Sequence, residues 1–346
     1  MSRLPRVLLL GHYPLERRDR APVVRTWAMA ESLARCAAVT ALSGSRAERA
    51  VWTRRFLAGR GLDRVDAVYL EAGTSTMTPA DHTLLRAIRR RGLPLGIYIR
   101  DAYQRFPALY PPATRKEWLL ARAYALTTWR YRQLASVLFF PTAGLADLFP
   151  HANRQLLPPA GTVLAPPAGL VRHPHRAIYV GANGPYDGVD TAVAALAEVR
   201  ATHPDAELVL VIRPAEAPSH LPPFCRLVEA SGEALSPWLW SSSVALIPRR
   251  DTDYTRLALP IKLFDYLSHG LAVVATGPSE VSKLVVASGV GVAAPPDPRQ
   301  VAAAIGGLWQ RSDRVARMSA SALALVSQQH NWDARAEAVL AALGVL

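Results

Sequence analysis

Leu259-Pro260-Ile261-Lys262-Leu263-Phe264-Asp265-Tyr266-Leu267-Ser268-His269-Gly270-Leu271-Ala272-Val273-Val274-Ala275-Thr276 reads as a loop, a helix and a buried strand. Pro260 suits a helix start, where its missing N–H has no partner to lose. Leu263, Tyr266 and Leu267 recur at helical spacing and give one apolar face. Gly270 fits a helix C-terminus. Ala272 to Ala275 is a short apolar run of the kind found in parallel strands covered on both sides. Lys262 and Asp265 stand three apart near the helix start and so share a face, to which the helix N-terminus adds partial positive charge. Such a pair can hold a diphosphate at Lys262 while Asp265 accepts hydrogen bonds from a sugar hydroxyl. The competing reading is an ion pair on an ordinary amphipathic helix. Only three of the 40 basic residues are lysines (Lys116, Lys262 and Lys283), which makes a lysine at this position conspicuous.

Strand and helix patterns alternate on both sides of this stretch, which predicts parallel, doubly wound sheets and an α/β class. Upstream, strands are expected at 6–11, 39–42, 65–70, 95–99 and 136–140. Helices are expected at 22–34, 79–91 and about 115–134. In the first of them Trp27, Met29, Ala30 and Leu33 are the apolar candidates. Further on, strands are expected at 177–180, 207–212 and 243–247 and helices at 188–200 and about 299–310. The Pro- and Gly-rich stretch 158–167 reads as a linker between two domains.

With 346 residues, half of them hydrophobic, the chain can bury two cores. Its 28 prolines are spread along the chain and do not signal disorder. Cys36 and Cys225 have no zinc or redox spacing, which favours a reduced, cytoplasmic setting. No signal peptide is recognised, and no apolar run approaches the roughly 18 residues that span a bilayer. Charge is unevenly placed. Residues 1–165 carry 25 Lys and Arg against 11 Asp and Glu, while residues 166–346 carry 15 against 16. The first half therefore predicts an anionic partner: a membrane lipid, a lipid-linked phosphate or nucleic acid. Arginine-rich genome composition explains the scarcity of lysine, but not this asymmetry. Nucleic acid is set aside, because no stacking aromatics or recognition helix accompany the charge.

The 259–276 segment resembles the nucleotide-sugar motif of the glycosyltransferases with two Rossmann-like domains, the GT-B fold, group 1 and family-4-like. The family pattern is roughly Pro-x-Lys-Leu-x-Glu-Tyr-Leu-Ala-x-Gly-x-Pro-Val-Val-Ala-Thr. The likeness runs through the second half: Tyr179-Val180-Gly181 with Gly188-Val189-Asp190, then Ala245 to Pro248, Gly291 to Asp297, and Asn331-Trp332-Asp333. It implies an acceptor domain at 1–160, a nucleotide-sugar domain at 161–330 facing it across a cleft, and a C-terminal helix, 331–346, crossing back to the first domain. It assigns Asp265 to the ribose and Lys262 to the donor phosphates, with the nucleotide-sugar, a UDP-sugar, as co-substrate and no further cofactor. The acceptor expected is a saccharide or a lipid-linked saccharide, with the basic half in peripheral contact with the inner face of the membrane.

Tyr98-Ile99-Arg100-Asp101-Ala102-Tyr103 is similar to a Tyr-Arg-Asp segment of some bacterial polysaccharide glycosyltransferases. Asp101 is the candidate base if the reaction inverts, and helix capping is its other reading. Arg100, Tyr103, His12 and Arg25 are candidates on the acceptor side, with Arg25 placed to meet a phosphate. Gly181, Asn183, Arg249 and Arg250 are candidates for the donor phosphates, at least one of the two arginines being expected to reach them. Two departures stand out. Leu257 replaces a family Glu eight positions before the ribose acid, and Gly181-Ala182…Asp187-Gly188 replaces Gly-Arg…Lys-Gly. These weaken a retaining assignment and leave a non-catalytic partner subunit open as an alternative, beside a nucleotide-sugar epimerase on the same fold. No Walker loop, zinc spacing or dinucleotide fingerprint is present, and nothing calls for a metal.

Overall fold

The computed structural model describes residues 3–15, 21–74 and 76–346. The chain forms two compact units, Met1–Pro158 with Trp332–Leu346, and Pro159–Asn331. In the first unit β1 (Arg6–Gly11), α1 (Ala21–Cys36), β2 (Ala38–Ser43), α2 (Arg46–Ala58), β3 (Ala67–Ala72) and α3 (Pro79–Arg90) come first. β4 (Leu95–Ile99), α4 (Arg115–Leu134), β5 (Val137–Phe140), α5 (Ala143–Asp147) and β6 (Arg154–Leu156) follow. All six strands are parallel, in the order β2-β1-β3-β4-β5-β6. The strand order turns back between β1 and β3, so the crevice outside their carboxyl ends is where this topology places ligands.

The second unit holds β7 (Arg176–Val180), α6 (Val189–Val199), β8 (Glu207–Val211), β9 (Cys225–Val228), α7 (Ser236–Ser241) and β10 (Val244–Ile247). α8 (Ile261–Ser268), β11 (Ala272–Thr276), α9 (Glu280–Ala287), β12 (Gly291–Ala294), α10 (Pro298–Trp309) and α11 (Ser312–Gln328) complete it. Its parallel sheet runs β12-β11-β10-β7-β8-β9, the nucleotide-binding order, with the reversal between β7 and β10. The last helix, α12 (Trp332–Ala342), belongs to the first unit and packs on α1.

Local chemistry explains several boundaries. Ser45 and Glu48 form a capping box at α2, and Thr78 with Asp81 forms another at α3, where Pro79 takes the first helical turn. β3 starts two residues later than expected. Asp66 lies outside it because its carboxylate is held by the Arg6 backbone N–H and guanidinium. The core-facing side of α1 is also corrected. Val23, Arg25, Thr26, Met29 and Leu33 are buried, whereas Trp27 and Ala30 are only half-buried. The proline-rich stretch expected as a linker is partly packed. Ala160 is buried, and the Gly161 N–H donates to the His330 carbonyl at 2.7 Å within the second unit. Both cysteines are free.

Candidate functional site

In the second unit the residues at the reversal point of the sheet come from three places: the loop after β7, the end of β10 and the start of α8. β7 and β10 pair over only two register positions, Val244 with Ala177 and Ala245 with Ile178, and then part. Tyr266 of α8 closes the gap. Its hydroxyl accepts from the Val180 N–H at 2.8 Å and donates to the Leu246 carbonyl at 3.4 Å. Leu263, Phe264, Tyr266 and Leu267 are fully buried, so the apolar face of α8 clamps the helix on the sheet. Pro260 is the residue that precedes the first turn, and Gly270, at φ +61°, follows the last.

This clamp leaves Lys262 and Asp265 half-buried. They form no ion pair with one another, so the helix-surface salt bridge is not what this pair makes. The Lys262 ammonium donates to the Tyr179 hydroxyl at 3.0 Å and lies 4.1 Å from the centre of that ring. Its pKa is pushed down to about 7, first by burial and then by the positive charge of Arg249, with Asp187 pulling the other way. Asp265 is pushed up to about 7 by burial alone. Two opposite charges sit on one short helix, and among the described residues neither has a counter-charge in salt-bridge contact.

Arg249 completes the picture. Thr276 holds its carbonyl with a 2.5 Å hydrogen bond, while its own Nε and Nη1 are buried without a hydrogen-bond partner. A buried guanidinium is normally satisfied. Here it faces a second cation, Lys262, and among the described residues no carboxylate is in salt-bridge contact with either. Arg250 is different: it is exposed and paired with Asp190 at 2.6 Å. Of the two arginines, Arg249 is the one with unpartnered donors.

Gly181 follows β7 at φ +138°, a backbone conformation that side chains rarely adopt. A Cβ there would lie 2.6 Å from Lys262 Nζ, so the absence of a side chain is what lets the ammonium occupy its position. Gly188, at φ +74°, lets the start of α6 abut the end of β10, since a Cβ would meet the Pro248 carbonyl oxygen at 1.8 Å. Gly181→Ala is expected to cost the fold about 1–2 kcal/mol for the backbone conformation. The lysine can swing aside, so the larger effect falls on the site, with diphosphate affinity down about tenfold. A thermal melt and a UDP titration of one variant separate the two effects. The Asn183 amide donates to the Glu216 carbonyl at 3.0 Å, which ties the loop down.

In the first unit His12 and Gly73 stand just beyond β1 and β3, at the reversal point of that sheet. Nδ1 of His12 accepts from the Gly73 N–H at 3.0 Å, which places the proton of the neutral ring on Nε2. Burial, reinforced by Arg49, lowers the His12 pKa to about 4. Arg49 is buried and bidentate to Asp81, at 2.9 and 3.1 Å. Arg25 does not meet a phosphate-accessible surface. It is 2% exposed, bonds Glu71 at 3.0 Å and stacks 3.5 Å over the Tyr98 ring. Burial disfavours its charge, but Glu71 and the neighbouring Tyr98 and Tyr69 more than offset that and hold it protonated.

Arg100 follows β4 and lies 3.5 Å from the Tyr13 hydroxyl. Asp101 is half-buried and its Oδ1 accepts from the Ala102 N–H at 2.8 Å, while Tyr124 of α4 donates to the Asp101 carbonyl at 3.2 Å. Tyr103 packs edge-on to Tyr110, 5.7 Å between ring centres. Four contributors escaped the sequence reading: Tyr179, Asp187, Glu71 and the Arg49–Asp81 pair. A single acid inside the apolar run Ala67-Val68-Tyr69-Leu70-Glu71-Ala72 was the one available signal, for Glu71. Among the described residues no group of three or more His, Cys, Asp or Glu is placed to hold a metal ion.

The paired sheets and the surrounding helices define the GT-B class of α/β proteins. Residues 174–311, within the second unit, match the family model described as Glycosyl transferases group 1. Solved structures share the fold over nearly the whole chain. Sucrose-phosphate synthase from Thermosynechococcus elongatus is 14% identical, with a TM-score of 0.73 and 97% of each chain covered. WaaG, a glycosyltransferase involved in lipopolysaccharide biosynthesis, is 15% identical, with a TM-score of 0.67 and coverage of 98% of this chain and 100% of its own. Anabaena HepE, solved in complex with UDP and glucose, is 12% identical, with a TM-score of 0.70 and coverage of 99% and 100%. No curated protein sequence matches the chain.

Proposed function

We propose that the protein is a glycosyltransferase that moves a sugar from a nucleotide-sugar, a UDP-sugar, to a saccharide or lipid-linked acceptor. The observation that carries this reading is the pair of cations Lys262 and Arg249, which among the described residues have no carboxylate in salt-bridge contact, beside the half-buried carboxylate of Asp265. The two cations neutralise the leaving diphosphate, and Asp265 accepts from the ribose hydroxyls. The UDP complexes of HepE support uridine as the base. Asp101 is proposed to take the acceptor proton in an inverting transfer, with His12, Arg100 and Tyr103 on the acceptor side. Arg25, Asn183 and Arg250 are left out of the proposed site: Arg25 is buried against Glu71, the Asn183 amide N–H donates to the Glu216 carbonyl, and Arg250 pairs with Asp190. The cytoplasm, at the inner face of the membrane, is the proposed location. Among the described residues no helix is long and apolar enough to cross a membrane.

Incubation with a panel of UDP-, GDP- and ADP-sugars, with release of the free nucleotide as readout, tests the proposal. Release from one sugar class, lost in Asp101→Asn and in Lys262→Met, supports it. Tight nucleotide binding with no turnover of any donor in the presence of a membrane extract would favour the non-catalytic partner subunit. That alternative draws on Leu257, which stands where the family Glu would be and whose N–H closes a turn onto the Tyr254 carbonyl.

The site also sets a pH dependence. Lys262 in the free protein loses its proton near pH 7, and a bound diphosphate favours the charged form. Through Lys262, UDP affinity therefore falls about tenfold per pH unit above pH 7. The second phosphate ionisation, near pH 6, is complete there and does not contribute. Lys262→Arg, with a fixed charge, is expected to flatten this decline in calorimetric titrations between neutral and alkaline pH.

A further inference from the structure

Helix α4 presents its apolar side outward. The face it turns to the domain is Tyr124, Thr127, Thr128 and Tyr131, and Thr127 accepts the Met77 N–H there at 3.2 Å. The opposite face carries Trp118, Leu119, Leu126 and Trp129, exposed to 48%, 60%, 55% and 44%. No residue from Arg115 to Ala123 is buried, so the first turns stand clear of the unit. Trp118 and Trp129 are the only tryptophans among the exposed large hydrophobics of the described residues.

Cations interleave with this face. Arg115 and Lys116 are exposed at the helix start. Arg122 stacks on Trp118 and Arg130 on Trp129, each 4.8 Å from the ring centre. The one acid of the helix, Glu117, accepts from the Ala113 N–H at 2.7 Å and is used in the N-terminal turn. Tryptophan beside arginine on an apolar helix face is the pattern of the membrane–water interface, where rings lie at headgroup level and guanidinium groups meet phosphate. A second copy of the chain would set these cations against their own kind. An anionic lipid surface complements them, and the surplus of 25 basic over 11 acidic residues in 1–165 has the same sign.

We propose that α4 is an interfacial docking helix. Trp118, Leu119, Leu126 and Trp129 enter the boundary between headgroups and acyl chains of an anionic bilayer, and Arg115, Lys116, Arg122 and Arg130 bind its phosphates. This goes beyond charge attraction, because it names an apolar anchor, and it does not depend on glycosyl transfer. The test is sedimentation of the full chain with phosphatidylcholine vesicles, with and without phosphatidylglycerol. Wild type is expected to bind the anionic vesicles and to bind neutral ones at least about tenfold more weakly. Trp118→Gln/Leu119→Gln/Leu126→Gln/Trp129→Gln is expected to lose about tenfold or more on anionic vesicles. Its far-UV spectrum and melting temperature should not fall, since all four side chains are exposed. Arg115→Gln/Lys116→Gln/Arg122→Gln/Arg130→Gln is expected to lose the preference for anionic lipid. Unchanged sedimentation of the apolar variant would overturn the proposal, as would equal binding of wild type to neutral vesicles. So would a wild-type dimer in ultracentrifugation that the apolar variant abolishes while neither protein binds vesicles.

Discussion

Lys262→Met is expected to raise the melting temperature of the protein and, in the same variant, to weaken UDP binding. The ammonium of Lys262 is half-buried against Tyr179 and repelled by Arg249, and its one hydrogen-bond acceptor is a neutral hydroxyl. Methionine keeps the length and packing of the stem and discards the poorly compensated charge, for a gain of about 1 kcal/mol. The sign follows from the pKa. The folded value, about 7, lies below the ordinary 10.5, so the folded state binds this proton less well than the unfolded chain. The penalty is full below pH 7 and gone above about 10.5, so the gain in melting temperature should be largest near pH 6 and vanish in strong alkali. Asp265→Asn should do the reverse. Its folded pKa of about 7 lies above the usual 3.8, so its penalty is full above pH 7 and absent in acid. UDP binding by Lys262→Met should fall by roughly 10- to 100-fold, the worth of charge-assisted hydrogen bonds to phosphate. A residue that costs stability and carries binding is the mark of a functional site. A variant that melts lower at pH 6 and still binds UDP would show Lys262 to be a structural residue.

Glu71→Leu should have the largest effect on stability. Among the described residues Glu71 is the one carboxylate bonded to the buried guanidinium of Arg25, and the pair sits among Tyr69, Tyr98 and Trp332. Removing it strands a charge out of water, at a cost of about 3–5 kcal/mol. Arg25→Met/Glu71→Leu removes both charges and is expected to recover most of that loss. Urea unfolding of the three proteins, followed through the transition of the first unit, gives the comparison. A single variant as stable as wild type would mean that Arg25 is neutralised elsewhere.

How much of this was legible in the sequence depended on what each residue touches. The segment from Pro260 to Thr276 was legible because its contacts are local: helical spacing, an adjacent strand and a closing glycine. β4 and α4 were read to the residue for the same reason. α2 was missed because its helix signal is the Ser45–Glu48 cap rather than an apolar stripe; Arg49 and Thr53 are its only buried residues. β6 and β9 were missed because they are short, partly exposed edge strands of three and four residues, each carrying an arginine. The site divided along the same line. Position beside a strand end singled out Gly181 and the Arg249–Arg250 pair. Choosing between the arginines required Asp190, 60 residues from Arg250, and rejecting Arg25 required Glu71, 46 residues away. Partners so distant leave no periodic trace.

The central claim, that α8 and its neighbours form a nucleoside-diphosphate site, is tested most directly by calorimetric titration of UDP into wild type and Asp265→Ala at neutral pH. The geometry predicts saturable binding by wild type, weakened about tenfold or more in the variant, with inorganic pyrophosphate binding nearly alike to both because Asp265 serves the ribose and not the phosphates. Folded wild-type protein that binds neither UDP nor any other nucleoside diphosphate would contradict it.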